Sequence, residues 1–411
     1  MAIPFFSLDL KVRDLTNIIK DILIPINIKK KNDAFISLLN ERYPNRYISL
    51  LPSGRLGLFL SLKFLFKEND EIIFSSMSFP LYIKIARQLG LKVRLVDVSN
   101  KDLNIDFNKI ESQINGNTKG IIATHLFGNP CEIKKIRDIC NKKNLILIED
   151  CAQSFNSKFD NIETGNFGDV GIVSTSLLKI PTTLSGGFVV VKDKALYIKI
   201  NNWLKDNLKN NLSLKLKLFL KVKISILNSY PRIYSILSDK MFNFLKNYNP
   251  RIYRKILYSG MGMSDIHFDP MERPNLSKYQ LSIGISQLNR CDLMNDKRRE
   301  YSRLLTEKLK NCKNIEVIND HFKENWNHQY FVILIKKNFK EIHKKLFDSG
   351  IHAMDENVWD CTKYGFMIEN NNDDFLITKK KDGSLLRIQN NSLLKKKDIE
   401  LIAKRILDAS N

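Results

Sequence analysis

Between residues 46 and 192 the chain repeats one pattern: a short apolar, β-rich run, a turn, then a stretch whose apolar residues recur at helical spacing. The runs are YISLLPS, EIIFSS, KVRLVDV, GIIATHLFG, NLILIED, VGIVSTS and GFVVVK. Short strands alternating with amphipathic helices predict an α/β unit. Most of the runs are nearly continuous in apolar residues rather than alternating, which predicts a sheet covered on both faces. Such sheets place ligands at the carboxyl ends of their strands, beside a switch in strand order. The loops that follow strands are therefore the place to look for chemistry.

From about residue 259 the patterns lengthen into helices such as QLSIGISQLNRCDLM, with a few strand-like pieces, HQYFVILI and LLRIQN. This predicts a smaller α+β domain. The expected division is 1–204 for the large α/β domain, 205–258 for a basic amphipathic insertion, and 259–411 for the small domain.

Composition adds class and compartment. A chain of 411 residues with 43% hydrophobic and 27% charged positions is an ordinary globular protein with room for two structural units. Cys131, Cys140, Cys151, Cys291, Cys312 and Cys361 show neither CxxC pairing nor zinc-ligand spacing, which suits reduced core thiols and predicts no metal site. The start, MAIPFFSLDLKVRD, does not have the basic and apolar regions of a secretory signal, so a cytoplasmic location is expected. The formal charge is +22, and 205–258 carries 12 Lys and Arg against two Asp, a net of +10. That excess points to an anionic partner or a solvated basic surface. No helix-turn-helix or zinc-finger spacing favours nucleic acid.

Four places carry candidate chemistry. Asp150 directly follows the buried run NLILIE, where a carboxylate needs a cation or a set of donors; it could equally cap the next helix. Gln153 is one helical turn further. In STSLLKIPTTLSGGFVVV, Lys179 follows a strand and precedes the Gly186-Gly187 turn, a position from which an amine can form an imine. Pyridoxal phosphate chemistry needs that combination: an amine that holds and releases an aldehyde, and a carboxylate that keeps the ring nitrogen protonated. In LPSGRLGLFLSLKF, Ser53 and Gly54 lie between a strand and a helix, which offers a hydroxyl and free N–H groups to a phosphate, or a plain N-cap. Ser174 could add a second hydroxyl. Phe79, after another strand, could stack on a ring or belong to the core.

Taken in order, IPFFSLDL, Ser53-Gly54, VDV at 96–98, HLFG at 125–128, IEDCAQSF, GNFGDVG at 165–171, Lys179 with its GG pair, QLSIGISQL and LLRIQNNSLL resemble the DegT/DnrJ/StrS sugar aminotransferases nearly end to end. The resemblance implies the pyridoxal-phosphate-dependent transferase fold, a three-layer sandwich with a mostly parallel central sheet and a smaller C-terminal α+β domain. It implies transfer of an amino group from an amino acid, commonly glutamate, to a nucleotide-linked keto-sugar, in a homodimer, for surface-polysaccharide or glycoconjugate synthesis. By the same resemblance Lys179 carries the cofactor and shuttles protons, Asp150 meets the pyridine nitrogen, and Gln153 the ring hydroxyl. Ser53, Gly54, Arg55 and Ser174 belong to the phosphate site, and Phe79 covers the ring.

The chain departs from the family pattern in four places. Arg55 replaces the Thr of SGT; Arg273 and Asn275 stand in reversed order; Glu356 and Asn357 occupy the area of a histidine-tyrosine signature; and 205–258 is longer than usual. That last segment interleaves Leu, Phe and Tyr with Lys and Arg, which suits either peripheral contact with an anionic membrane or a pair of covering helices. Two other functions compete with transamination. One is the family's sugar dehydratase chemistry, associated with histidine at the cofactor lysine, against which Lys179 argues. The other is a non-catalytic scaffold on an anionic membrane.

Overall fold

The computed structural model describes residues 27–208, 238–249, 268–271, 274–318, 325–355, 359–363, 375–381 and 384–410, with isolated positions such as Ile3, Asp14 and 234–236. Arg273, Glu356, Asn357 and most of 205–258, including Lys215, Lys217, Lys221 and Lys223, lie outside the described residues.

The first region runs α1 (Ile28–Asn40), β1 (Tyr47–Leu51), α2 (Gly54–Leu65), β2 (Glu71–Ser75), α3 (Pro80–Gln88), β3 (Lys92–Val96), β4 (Thr118–Thr124), α4 (Ile133–Lys143) and β5 (Ile146–Asp150). It continues through the small hairpin β6 (Lys158–Phe159) and β7 (Ile162–Glu163), then β8 (Val170–Ser174), β9 (Gly187–Val191) and α5 (Lys194–Asn207). Seven strands form one sheet in the order β1-β9-β8-β5-β4-β2-β3. The pairings β2–β3, β2–β4, β4–β5 and β5–β8 are parallel, and β9 alone runs against its neighbours β1 and β8.

Side-chain alternation along these strands supplies two cores. Ile72, Phe74, Ile148, Ile172 and Val189 pack beneath Leu56, Leu60, Ile83 and Ile200 of the covering helices. On the opposite face Ile73, Ile121 and Leu147 meet Ile133, Ile136 and Cys140 of α4. Further along that face Val173, Phe188 and Val190 meet Phe35, Leu39 and Leu281. Each such buried aliphatic or aromatic side chain contributes about 1.5–3 kcal/mol before entropy is counted. The three-layer architecture expected from the near-continuous apolar runs is what these residues build.

The second region contains α6 (Asp239–Tyr248), α7 (Lys278–Leu288), α8 (Cys291–Leu309), β10 (Ile315–Val317), β11 (Tyr330–Ile335), α9 (Phe339–Asp348), β12 (Met354–Asp355), α10 (Leu376–Lys381), β13 (Leu385–Gln389) and α11 (Lys396–Ser410). Its sheet is antiparallel, in the order β10-β11-β13-β12. Phe331, Ile333, Leu386 and Ile388 form its core with Leu305, Leu346, Ile399 and Ile402. Ile3 joins that core and bridges Ile351 in parallel. All six cysteines are free, and no described helix is long and apolar enough to cross a membrane.

Candidate active site

The parallel strands β1, β2, β4, β5 and β8 end along one edge of the large sheet, where the reversed β9 begins. Register places Asp150 opposite Thr124 on one side and Ile172 on the other. The Asp150 carboxylate is buried; its Oδ1 accepts from the Ala152 N–H at 3.1 Å and from the Tyr82 hydroxyl at a long 3.5 Å. Burial pushes the Asp150 carboxyl above its usual pKa, against the pull of the Ala152 N–H and of the positive charge at Lys179. A cation placed against the free Oδ2 would relieve that penalty. Tyr82, itself buried and next to Asp150, is held neutral, its pKa pushed well up, so it remains a donor.

Lys179 sits on the loop from β8 to β9, and five hydrogen bonds fix its path. The Thr175 N–H donates to Gly186 O at 2.9 Å, and the Thr183 N–H returns to Thr175 O at 2.8 Å. Gln287 Oε1 accepts from the Thr182 N–H at 2.6 Å, while Gln280 Nε2 donates to Thr183 O and Ser185 O at 3.1 and 2.8 Å. Gly186 turns the loop back into β9 with φ +153°, and a Cβ there would meet Thr183 Oγ1 at 2.5 Å. The two glutamines are the ends of QLSIGISQL, so that motif acts as a clamp on the lysine loop. From the small sheet, Gln329 Nε2 donates to Leu178 O at 2.6 Å, and Lys179 Nζ lies 3.4 Å from the Tyr330 hydroxyl. Arg387 also packs on this system, its guanidinium 4.5 Å from the Tyr330 ring centre.

A helix start with the makings of an anion site lies against β8 and β9. Ser53 caps α2 by accepting from the Leu56 N–H at 3.2 Å, which leaves its hydroxyl proton for a ligand. The Gly54 end of the helix lies directly against β8 and β9: a Cβ on Gly54 would stand 3.2 Å from Ser174 Cβ, and one on Gly187 only 2.6 Å from Gly54 N. Only glycines permit this approach, which brings the N–H groups of the helix start and the Ser174 hydroxyl to one spot. Arg55, in the first turn, is near enough to oppose the upward shift of the Tyr82 pKa.

Phe79 caps α3 and packs edge-on to Tyr82 at 5.3 Å and against Trp359 at 5.8 Å. It therefore reaches Asp150 through Tyr82. Gln153 Oε1 accepts from the Phe127 N–H at 2.8 Å, which directs the amide nitrogen as the end for a ligand oxygen. Sequence reasoning missed Glu149, the neighbour of Asp150. It points to the other face, where its carboxylate accepts from the Gly165, Phe167 and Gly168 N–H groups at 2.9, 2.8 and 2.6 Å and lies 3.0 Å from His125 Nε2. His125 Nδ1 in turn accepts from the Cys131 N–H at 3.2 Å. His125, Glu149 and Cys151 are close enough together to suggest a metal site. The Glu149 carboxylate and the His125 ring already hold hydrogen-bond partners, and the two form a structural clasp beside β5.

Pyridoxal phosphate fits this residue set: a cradle for an anion, a buried carboxylate for a cationic ring nitrogen, and an amine beside both. The family model described as the DegT/DnrJ/EryC1/StrS aminotransferase family matches residues 26–212 and 267–406. Relatives include a GDP-perosamine synthase of Escherichia coli O157:H7, 34% identical over 37% of this chain and 42% of that protein. A GDP-4-keto-6-deoxy-D-mannose 3-dehydratase of Yersinia pseudotuberculosis is 31% identical over 40% of this chain and 45% of that protein. The chain thus spans less than half the length of these two curated relatives. Among solved structures, Helicobacter pylori PseC, an aminotransferase involved in pseudoaminic acid biosynthesis, superposes with a TM-score of 0.77 at 17% identity, covering 100% of this chain and 99% of that one. With most of its length matched by the family model, the chain belongs to the DegT/DnrJ/EryC1/StrS aminotransferase family.

Proposed function

We propose that this protein is a pyridoxal-phosphate-dependent aminotransferase that moves an amino group from an amino acid, with glutamate as donor, to a nucleotide-linked keto-sugar. The observation that carries the reading is Lys179 at the strand-end edge, within electrostatic reach of the buried Asp150 and on the loop that follows Ser174, against which the Gly54 helix start packs. Bound pyridoxal phosphate supplies an aldehyde and an electron-accepting ring. Asp150 holds positive charge at the ring nitrogen, the Gly54 and Arg55 N–H groups with Ser53 and Ser174 hold the phosphate, Gln153 meets the ring hydroxyl, and Phe79 covers the ring. Lys179 Nζ takes and returns the proton at the substrate carbon.

In this proposal 1–204 is the cofactor-binding unit, 205–258 a basic insertion and 259–411 the smaller unit. The enzyme works in the cytoplasm as a homodimer, in surface-polysaccharide synthesis, and its basic insertion is the part suited to an anionic membrane. Relatives named as dehydratases make loss of water the rival outcome, and Lys179 favours amination. The test is incubation of purified protein with pyridoxal phosphate, glutamate and GDP- and dTDP-linked 4-keto-6-deoxy sugars, read by mass. Amine gain is expected; water loss, or no change with any sugar, contradicts the proposal.

A further inference from the structure

Just before β11 the chain meets the loop that follows Asp150, and one side chain holds the meeting point. Asn327 is 1% exposed, and each of its polar atoms has a partner. Its Nδ2 donates to Gln153 O at 2.8 Å and to Phe155 O at 3.0 Å. Its Oδ1 accepts from the Gln329 N–H at 3.0 Å, which closes a tight turn of the Asx kind. The Asn327 N–H donates to Ser157 Oγ at 2.9 Å, and its carbonyl accepts from Arg298 Nε at 3.0 Å. A buried amide is unfavourable unless its groups are met in this way.

The two ends of this link are residues of the site. Gln153 is held at its carbonyl by Asn327 and at its Oε1 by the Phe127 N–H. Gln329 is held at its N–H by Asn327, and its Nε2 donates both to Leu178 O, one residue before Lys179, and to the Tyr330 hydroxyl at 3.2 Å. Two backbone features make room for the amide. Gly128 takes φ +88°, and a Cβ there would collide with Asn327 Oδ1. His328 takes φ +49°, a left-handed conformation unfavourable for a residue with a side chain, and Asn390 Nδ2 holds its carbonyl at 2.8 Å. Strain kept beside a residue with no polar atom left for a ligand points to what that residue aims.

We propose that Asn327 is a positioning residue for the reaction assigned above: its amide fixes Gln153, on the ring-hydroxyl side of the cofactor, relative to Gln329 and Tyr330, on the Lys179 side. It acts only through these neighbours. The large sheet carries Gln153 and Lys179 on separate loops, and Asn327 ties the two from the side of the small sheet. The inference rests on the proposed function, and binding of the cofactor alone tests the two separately.

The test uses the full chain and pyridoxal phosphate alone, with affinity read by equilibrium dialysis and the pH midpoint of the bound-cofactor absorbance read by titration. Asn327→Ala should bind the cofactor about tenfold more weakly and move the midpoint by about half a pH unit. Asn327→Ser keeps an acceptor for the Gln329 N–H but not the reach to Gln153; it should move both readings the same way, and it decides the matter if the alanine variant does not fold. Ser157→Ala removes the bond from the Asn327 N–H and the bond to Gly128 O, so it should lower the urea midpoint while leaving affinity and absorbance near wild type. Added to Gln153→Ala, Asn327→Ala should weaken binding less than it does alone, because part of its effect runs through Gln153. The inference is overturned if the Asn327 variants bind and titrate as wild type does, if Ser157→Ala moves both readings as far, or if the effects of Asn327→Ala and Gln153→Ala simply add. Should wild type take up no pyridoxal phosphate, the proposed function falls and this inference with it; wild-type uptake with unmoved Asn327 variants defeats the inference alone.

Discussion

Along the carboxyl edge of the seven-stranded sheet the functional groups sit on strand ends, loops and helix starts, whereas the four-stranded sheet presents Tyr330 and Arg387 from its strands alone. The first arrangement exposes backbone N–H groups, so it can hold an anion and fix a lysine loop at the same time. The second exposes side chains only, and it can touch the site only because Gln329 and Tyr330 reach across to Leu178 and Lys179. In the proposed function, the difference separates a region that performs the chemistry from one that aims it. Substitutions should therefore have large effects on the first and graded effects on the second.

Lys179→Ala should break the comparison most severely. Turnover should drop by about 10⁴-fold, since the amine that moves the proton in the proposed reaction is removed; steady-state rates with glutamate and keto-sugar measure this. Glu149→Ala comes next, on folding rather than catalysis. It strands three N–H groups, those of Gly165 and Gly168 buried and that of Phe167 partly so, with an expected loss of about 3–5 kcal/mol in urea unfolding, and Glu149→Gln should lose less.

Asp150→Asn should slow turnover by roughly 10²-fold yet stabilise the cofactor-free protein. Burial raises the Asp150 pKa in the folded state, so its contribution is fullest below the unfolded value of about 3.9 and is lost as pH rises through the raised value. The asparagine variant escapes that loss. It should exceed wild type in denaturant midpoint at neutral pH and converge with it near pH 4. A variant no more stable at neutral pH would show that Asp150 is already satisfied without a ligand.

Tyr330→Phe gives the smallest expected change. Removing one hydroxyl at 3.4 Å from Lys179 should lower turnover about fivefold and shift the pH at which the bound-cofactor absorbance changes. An unaltered pH profile would reduce Tyr330 to packing.

The sequence made the loop-borne half of this site legible and hid the strand-borne half. Asp150, Lys179 and Ser53 each follow an apolar run, and a polar residue in that position stands out. Glu149 does not, because one position earlier it falls on the alternate face of the same strand, and its partners Gly165, Phe167 and Gly168 come from a distant turn. Tyr330 and Arg387 lie inside HQYFVILI and LLRIQN, where period-two alternation reads simply as core and surface. Gln280 and Gln287 were findable: two amides seven residues apart occupy one side of a largely buried helix, and a buried amide needs partners. The layered fold was legible for a simpler reason, since strand runs that are apolar throughout must be covered twice.

The central claim is that Lys179 is the residue that holds the cofactor. Purified protein incubated with pyridoxal phosphate, reduced with borohydride and digested should show the added pyridoxyl phosphate mass on the peptide containing Lys179 and on no other at stoichiometric yield. Stoichiometric labelling of a different lysine, or none under conditions where the protein is folded, would contradict the account.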